Sequence, residues 1–167
     1  PAGSTGPFRI PERDSVSQKA QTMLNERERT EYQAVRKGVG WYRLASETVF
    51  EMSGKDAVSF LQGMVSNDVH SLKAGEGCYA ACLTAVGKML SDLRVLVLPD
   101  RLLILLPKEA KEKILKHLDH YIFMEEVVFK DFAQETEMIS LQGPSAKPFL
   151  TAFFKQDLPS TPYSHTD

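Results

Sequence analysis

The 167-residue chain is short of cysteine, of excess charge and of long apolar stretches. Each shortage excludes something. Two cysteines, Cys78 and Cys82, are too few for a disulfide scaffold and carry no zinc-type partner set. Twenty basic residues against 22 acidic ones leave a formal net charge of −2, so neither nucleic acid nor an anionic membrane is an expected partner. The longest apolar run, from Val95 to Leu106, is broken by Pro99, Asp100 and Arg101; a membrane span needs ~20 residues. The N-terminus lacks a basic region followed by an apolar stretch, and the expected setting is reducing and cytoplasmic. There is no Gly-rich phosphate loop, no strand-linked Gly-x-Gly-x-x-Gly and no His-Glu-x-x-His. The four histidines are scattered. His117 and His120 share a predicted helix at i, i+3, but no third ligand accompanies them, so no metal is expected.

What is present suits a globular core: 43% of residues are hydrophobic and 25% charged. Residues 1–37 read as a Pro/Gly-rich arm followed by a helix over Val16–Arg36, with Glu26-Arg27-Glu28-Arg29 as a solvated charge run. Trp41–Leu44 and Thr48–Met52 are strand-like, with a turn at Ser46-Glu47. Ser53 is the expected N-cap of the next helix, with Asp56 reaching back; Ala57, Phe60, Leu61 and Met64 form its buried stripe. Strands are expected over Cys78–Thr84, Met89–Leu98 and Leu102–Leu106, antiparallel because their connections are short. Pro107 starts a helix whose stripe is Ala110, Ile114, Leu118, Tyr121 and Ile122. Val127–Phe132 and Met138–Leu141 read as a strand pair. Gly143-Pro144 then opens a helix with Ala146, Phe149, Leu150 and Phe153 on its apolar side. A polar tail, 157–167, follows. The order predicts an α+β fold with helices packed on an antiparallel sheet.

Cys78 and Cys82 fall on one strand face about 13 Å apart, too far for a disulfide, and read as core residues. One position stands out. Asp92 and Arg94 share a strand face with Leu90, Leu96 and Leu98. A carboxylate among leucines requires a partner. It is either paired with Arg94 or a neighbouring strand, or it lines a ligand cleft where it could bind an amine or move a proton.

Several segments resemble one family. Phe60-Leu61-Gln62-Gly63-Met64-Val65-Ser66-Asn67-Asp68-Val69 is similar to the Phe-Leu-Gln-x-x-x-(Ser/Thr)-Asn-Asp-Val signature of the glycine-cleavage T-protein superfamily. Glu31–Trp41 resembles its entry segment, and Ser53-Gly54-Lys55-Asp56-Ala57 precedes the signature as it does there. Leu72, Gly75 and Tyr79 follow at the expected spacing. Gly87-Lys88-Met89-Leu90-Ser91-Asp92-Leu93 and Leu141-Gln142-Gly143-Pro144-Ser145-Ala146 resemble two later blocks. The resemblance covers roughly residues 31 to 150.

The resemblance implies a ferredoxin-like α+β N-terminal part of a ring-like fold that holds folate. Residues 38–156 would be folate-binding but incomplete, and 157–167 would lead to a missing C-terminal half. Two functions follow from it. One is aminomethyl transfer from the lipoyl arm of H-protein to tetrahydrofolate, with release of ammonia. The other is the YgfZ-like role, folate-dependent assembly or repair of iron–sulfur clusters without that transfer, with iron–sulfur proteins as partners. Transferases usually read Gly-Gly-(Ile/Val)-x-Asp-Asp in the Gly87 block. Here Lys88 replaces the second glycine and Ser91 one acid, which is the YgfZ-like habit. The Lys-Gly-Cys motif of YgfZ-like second halves does not occur in the chain. A third reading is a folded half that binds no ligand alone.

The expected site is Asp92 as the catalytic carboxylate, with Asn67, Asp68 and Tyr79 contacting tetrahydrofolate. Asn67 and Asp68 have the alternative of capping the helix and shaping a turn, and Tyr79 that of a core aromatic.

Overall fold

A computed structural model describes residues 25–131, 134 and 136–166. The element order is α1 (Glu26–Lys37), β1 (Gly40–Arg43), β2 (Glu47–Ser53), α2 (Ala57–Gln62), β3 (Gly77–Leu83), β4 (Met89–Val97), β5 (Arg101–Pro107), α3 (Lys108–His120), β6 (Val128–Asp131), β7 (Ile139–Gln142) and α4 (Ala146–Phe154). The fold is α+β, as the pattern predicts. The first part of the helix expected from Val16 lies outside the described residues. No described helix is long and apolar enough to cross a membrane.

The chain divides into two compact units. Of the described residues, the first comprises 25–40 and 141–146. Its helix α1 opens with a capping box: Asn25 Oδ1 accepts from the Glu28 amide at 3.0 Å, and Glu28 Oε2 accepts from the Asn25 amide at 2.8 Å. The charge run is solvent-exposed, and Arg27 pairs with Glu31 one turn on at 3.0 Å. Gly143 has φ +118°, and a Cβ there would lie 2.4 Å from the Gly38 carbonyl oxygen. Glycine is what allows this close approach, which Ser145 completes by donating its N–H to Gly38 O at 3.0 Å.

The second unit, the described residues within 41–140 and 147–166, is built on a five-stranded sheet in the order β3-β4-β5-β2-β6. Its described pairings are antiparallel. β2 and β4 therefore run the same way on either side of β5, with α2 in the connection, and β6 returns beside β2 after α3. This is the split β-α-β arrangement, extended at one edge by β3.

Period-2 alternation sorts the side chains. Phe50, Met52, Cys78, Ala80, Cys82, Leu93, Val95, Leu102, Ile104 and Leu106 turn to one face. There they pack with Ala57, Phe60 and Leu61 of α2 and Ile114 and Leu118 of α3 in one core. The segment after α2 covers the β3 edge: Val65 bridges to Cys82, and Ser66 exchanges hydrogen bonds with Ala81. That covers the Ala81–Leu83 end of the edge.

Three expectations are corrected. Ser53 is the last residue of β2, not a helix N-cap. The chain turns through Gly54 (φ +115°) before α2 begins at Ala57, so Asp56 Oδ2 accepts instead from the Glu126 amide at 2.8 Å. The last two strands do not pair with each other: β6 joins β2 and β7 joins β1. Each finds the neighbour whose backbone edge is free, a non-local choice that periodicity does not encode. α4 does carry its apolar side, but none of its residues is buried. Phe149 stacks on Phe153 at 6.2 Å with 48% and 69% of their surfaces exposed.

Candidate functional site

The face of the five-stranded sheet away from α2 and α3 is where the sequence-predicted acid lies. Along β4, Ser91, Leu93, Val95 and Val97 are buried while Asp92, Arg94 and Leu96 alternate with them, half-buried, on this open face. Leu90, expected beside them, packs against the helix-side core, next to the irregularity in the β3–β4 register. The register places Ala81 opposite Asp92, Tyr79 opposite Arg94, and Leu103 and Leu105 opposite Leu96 and Arg94. Tyr79 is thus diagonal to Asp92, and its hydroxyl donates to Asp92 Oδ2 at 2.8 Å. The Tyr79 phenol ionises above the ordinary tyrosine range, chiefly because Asp92 holds its proton. Tyr79 is 48% exposed, so it is a surface aromatic and not part of the core.

Asp92 does not pair with Arg94. Arg94 Nη2 donates instead to Glu47 Oε2 on β2 at 2.7 Å. Glu47 escaped notice in the sequence because only the β5–β2 register brings it to this face. The hint was Glu47 and Glu51 on the same face of the strand as Val49, although Val49 itself is buried.

Asn67 and Asp68 lie in the loop between α2 and β3. Asn67 Nδ2 donates to the Tyr79 carbonyl at 2.9 Å, and its Oδ1 accepts from the Asp68 amide at 2.8 Å. Asp68 Oδ1 accepts from the amides of His70 (3.1 Å) and Ser71 (3.2 Å). Hydrogen bonds from Ser71, side chain before backbone, hold the Asp68 carboxyl below the usual carboxylate range. Gln62 joins this scheme: its Oε1 accepts from the amides of Val69 (2.7 Å) and His70 (3.0 Å). The polar side chains of the signature thus spend these contacts on the backbone, fixing a loop that grips β3 at Tyr79.

Ser91, the serine in the acid pair, points the other way. It is 8% exposed on the helix-packed face and donates its hydroxyl to the Asp92 carbonyl at 2.9 Å. In a pair of adjacent strand residues only one can face a ligand on a given side, and the acid kept here is the one on the open face. Lys88 and Gly87 form the preceding turn, with Gly87 at φ +77°. Cys78 and Cys82 are buried free thiols; burial pushes the Cys82 thiol up to about 11. A cavity of 410 Å³ lies on the helix side between Met64, Leu83, His117 and Tyr121. His117 Nε2 sits 3.1 Å from the Leu83 carbonyl. None of the four predicted site residues lines this cavity. Among the described residues no cluster of three metal-ligating side chains occurs.

Comparison with known proteins agrees with this fold. The family model for the GCVT N-terminal domain matches residues 5–166. The chain is 33% identical over 136 residues to an aminomethyltransferase of Chloroherpeton thalassium, covering 81% of the chain and 38% of that protein. It is 30% identical over 138 residues to one of Prochlorococcus marinus, covering 79% and 37%. The chain therefore spans well under half the length of these relatives. The crystal structure of glycine cleavage system aminomethyltransferase T from Bartonella henselae superposes with a TM-score of 0.67 at 23% identity, over 78% of this chain and 35% of that one.

Proposed function

This chain belongs to the GCVT N-terminal domain family, and from that membership we propose that it binds tetrahydrofolate in one-carbon chemistry through the open face of its five-stranded sheet. The observation that carries the reading is Asp92: a carboxylate on a half-apolar surface, held by the Tyr79 hydroxyl and left unpaired by its neighbouring arginine. The residues fit a reduced pterin. Leu96, Leu103 and Leu105 offer apolar area for a flat ring, and Asp92 offers an acceptor for ring N–H groups. Bound there, tetrahydrofolate would supply the nitrogen that accepts a one-carbon unit. Asp92 is the group placed to hold or take that nitrogen's proton. Tyr79 orients the Asp92 carboxylate, and Asn67 and Asp68 hold the loop that borders Tyr79.

A second reading is favoured by the Gly87 block. Lys88 and Ser91 depart from the transferase pattern and follow the YgfZ-like habit, so folate binding would serve iron–sulfur cluster assembly or repair with iron–sulfur proteins as partners. The first reading takes lipoylated H-protein as partner and ends in aminomethyl transfer. Calorimetric titration of tetrahydrofolate into the full-length protein and into Asp92→Ala tests the shared claim. The expected result is binding that weakens about tenfold or more on substitution, the loss of a charge-assisted hydrogen bond. No binding by the unaltered protein would sink it. Turnover with lipoylated H-protein then separates the two readings.

A further inference from the structure

Asp92 and Arg94 lie two residues apart on one strand face, about 6.7 Å along the backbone, well within an arginine's reach. Opposite charges so placed pair unless something better competes. Here Glu47 does. Arg94 reaches over β5, past Leu105, to a carboxylate two strands away. The Glu47 and Arg94 side chains are only 18% and 35% exposed, so their attraction is screened less than that of a fully exposed pair. The Asp92 carboxylate is left with the Tyr79 hydroxyl.

We propose that Glu47 is a positioning residue that holds Arg94 over β5 and so keeps the Asp92 carboxylate available to an N–H donor on the ligand. This rests on the folate reading above and adds its control: the site works only while Arg94 is held off. Without Glu47, Arg94 still has the Asp92 carboxylate two residues away on its own strand face. A guanidinium seated on it would occupy its lone pairs in a charge-assisted contact that a neutral pterin N–H must displace.

The test is Glu47→Gln in the full-length protein, read two ways. A crystal structure of the ligand-free variant is expected to show Arg94 within hydrogen-bond distance of Asp92, and tetrahydrofolate titration an affinity about tenfold weaker. The double variant Glu47→Gln/Arg94→Gln, which has no guanidinium to move, is expected to recover the unaltered affinity to within about twofold. Glu47→Asp, keeping the charge, should also retain it. If Glu47→Gln does not fold, the double variant leaves no lone charge and carries the test, because weak binding by it would place Glu47 in some other role. Arg94 staying in place in the crystal, or unaltered affinity in Glu47→Gln, overturns the proposal. The crystallographic result stands without any ligand. Failure of the folate reading would show separately, as an affinity insensitive to Asp92→Ala.

Discussion

The two faces of the five-stranded sheet are made by the same strands and differ in almost everything else. Toward α2 and α3 stand Phe50, Met52, Leu93, Val95, Leu102, Ile104 and Leu106, all at 0–1% exposure. On the other side, one residue out of step, stand Glu47, Tyr79, Asp92 and Arg94 among half-buried leucines. One face is a core, where burial stabilises and polar groups are costly. The other is mixed: Val49 is buried there between Glu47 and Glu51, while the charged side chains stay partly open to solvent. Ser91 and Asp92 show the contrast in adjacent positions: the small hydroxyl is buried and satisfied by backbone, and the carboxylate sits where it can be reached.

The sharpest way to break this comparison is to truncate neighbours on β5. Ile104 is fully buried and Leu105 half-buried on the opposite face. Ile104→Ala should lose about 2–5 kcal/mol, the transfer and cavity terms together. Leu105→Ala should lose less, about 1–2 kcal/mol, since part of its side chain stays in contact with water. Urea denaturation of the pair decides it, and equal losses would mean that the open face is packed as a core.

That alternation was legible in the residues themselves, because period 2 needs no tertiary knowledge. The strands over Cys78–Thr84 and Leu102–Leu106 and the face shared by Cys78 and Cys82 follow from it. The stripe Ala57, Phe60, Leu61 follows from helical spacing instead, while Met64, expected on the same stripe, lies past the end of α2 at Gln62. Partnership was not legible. That β2 inserts between β5 and β6, and that β7 leaves for β1, depends on contacts far apart in sequence. The site divides in the same way. Asp92 stands out from its own strand, but its bond to Tyr79 depends on the β3–β4 register. That register shifts between Cys82 and Leu83, and it arises from the fold and not from local pattern. Glu47 was hidden for the same reason.

A smaller effect sharpens the boundary between motif and site. Gln62 lies in the signature but faces the loop, where one side-chain oxygen serves the amides of Val69 and His70. Val69 is fully buried, so Gln62→Ala leaves at least one amide without a ready replacement. We expect a loss of about 1–2 kcal/mol by urea denaturation, with the α2–β3 loop exchanging its amide hydrogens faster. A wild-type exchange pattern would mean that the loop is held from elsewhere.

The smallest expected change concerns Tyr79. Because Asp92 holds the Tyr79 proton and would repel its phenolate, the phenol ionises above the ordinary range in the folded state. A raised value means that this contact stabilises the fold fully below the unfolded tyrosine value near 10 and is lost as pH rises through the folded one. Tyr79→Phe should therefore lower the melting temperature slightly at neutral pH, and the difference should close as the solution becomes strongly alkaline. Asp92→Asn should leave the ring in place yet bring one tyrosine back toward the ordinary range, visible as an earlier step in the ultraviolet absorbance titration of phenolate. An unchanged titration would mean that the Tyr79–Asp92 contact is not kept in solution. The open face would then present its carboxylate without an orienting hydroxyl, and only Glu47 and Arg94 would shape its charge.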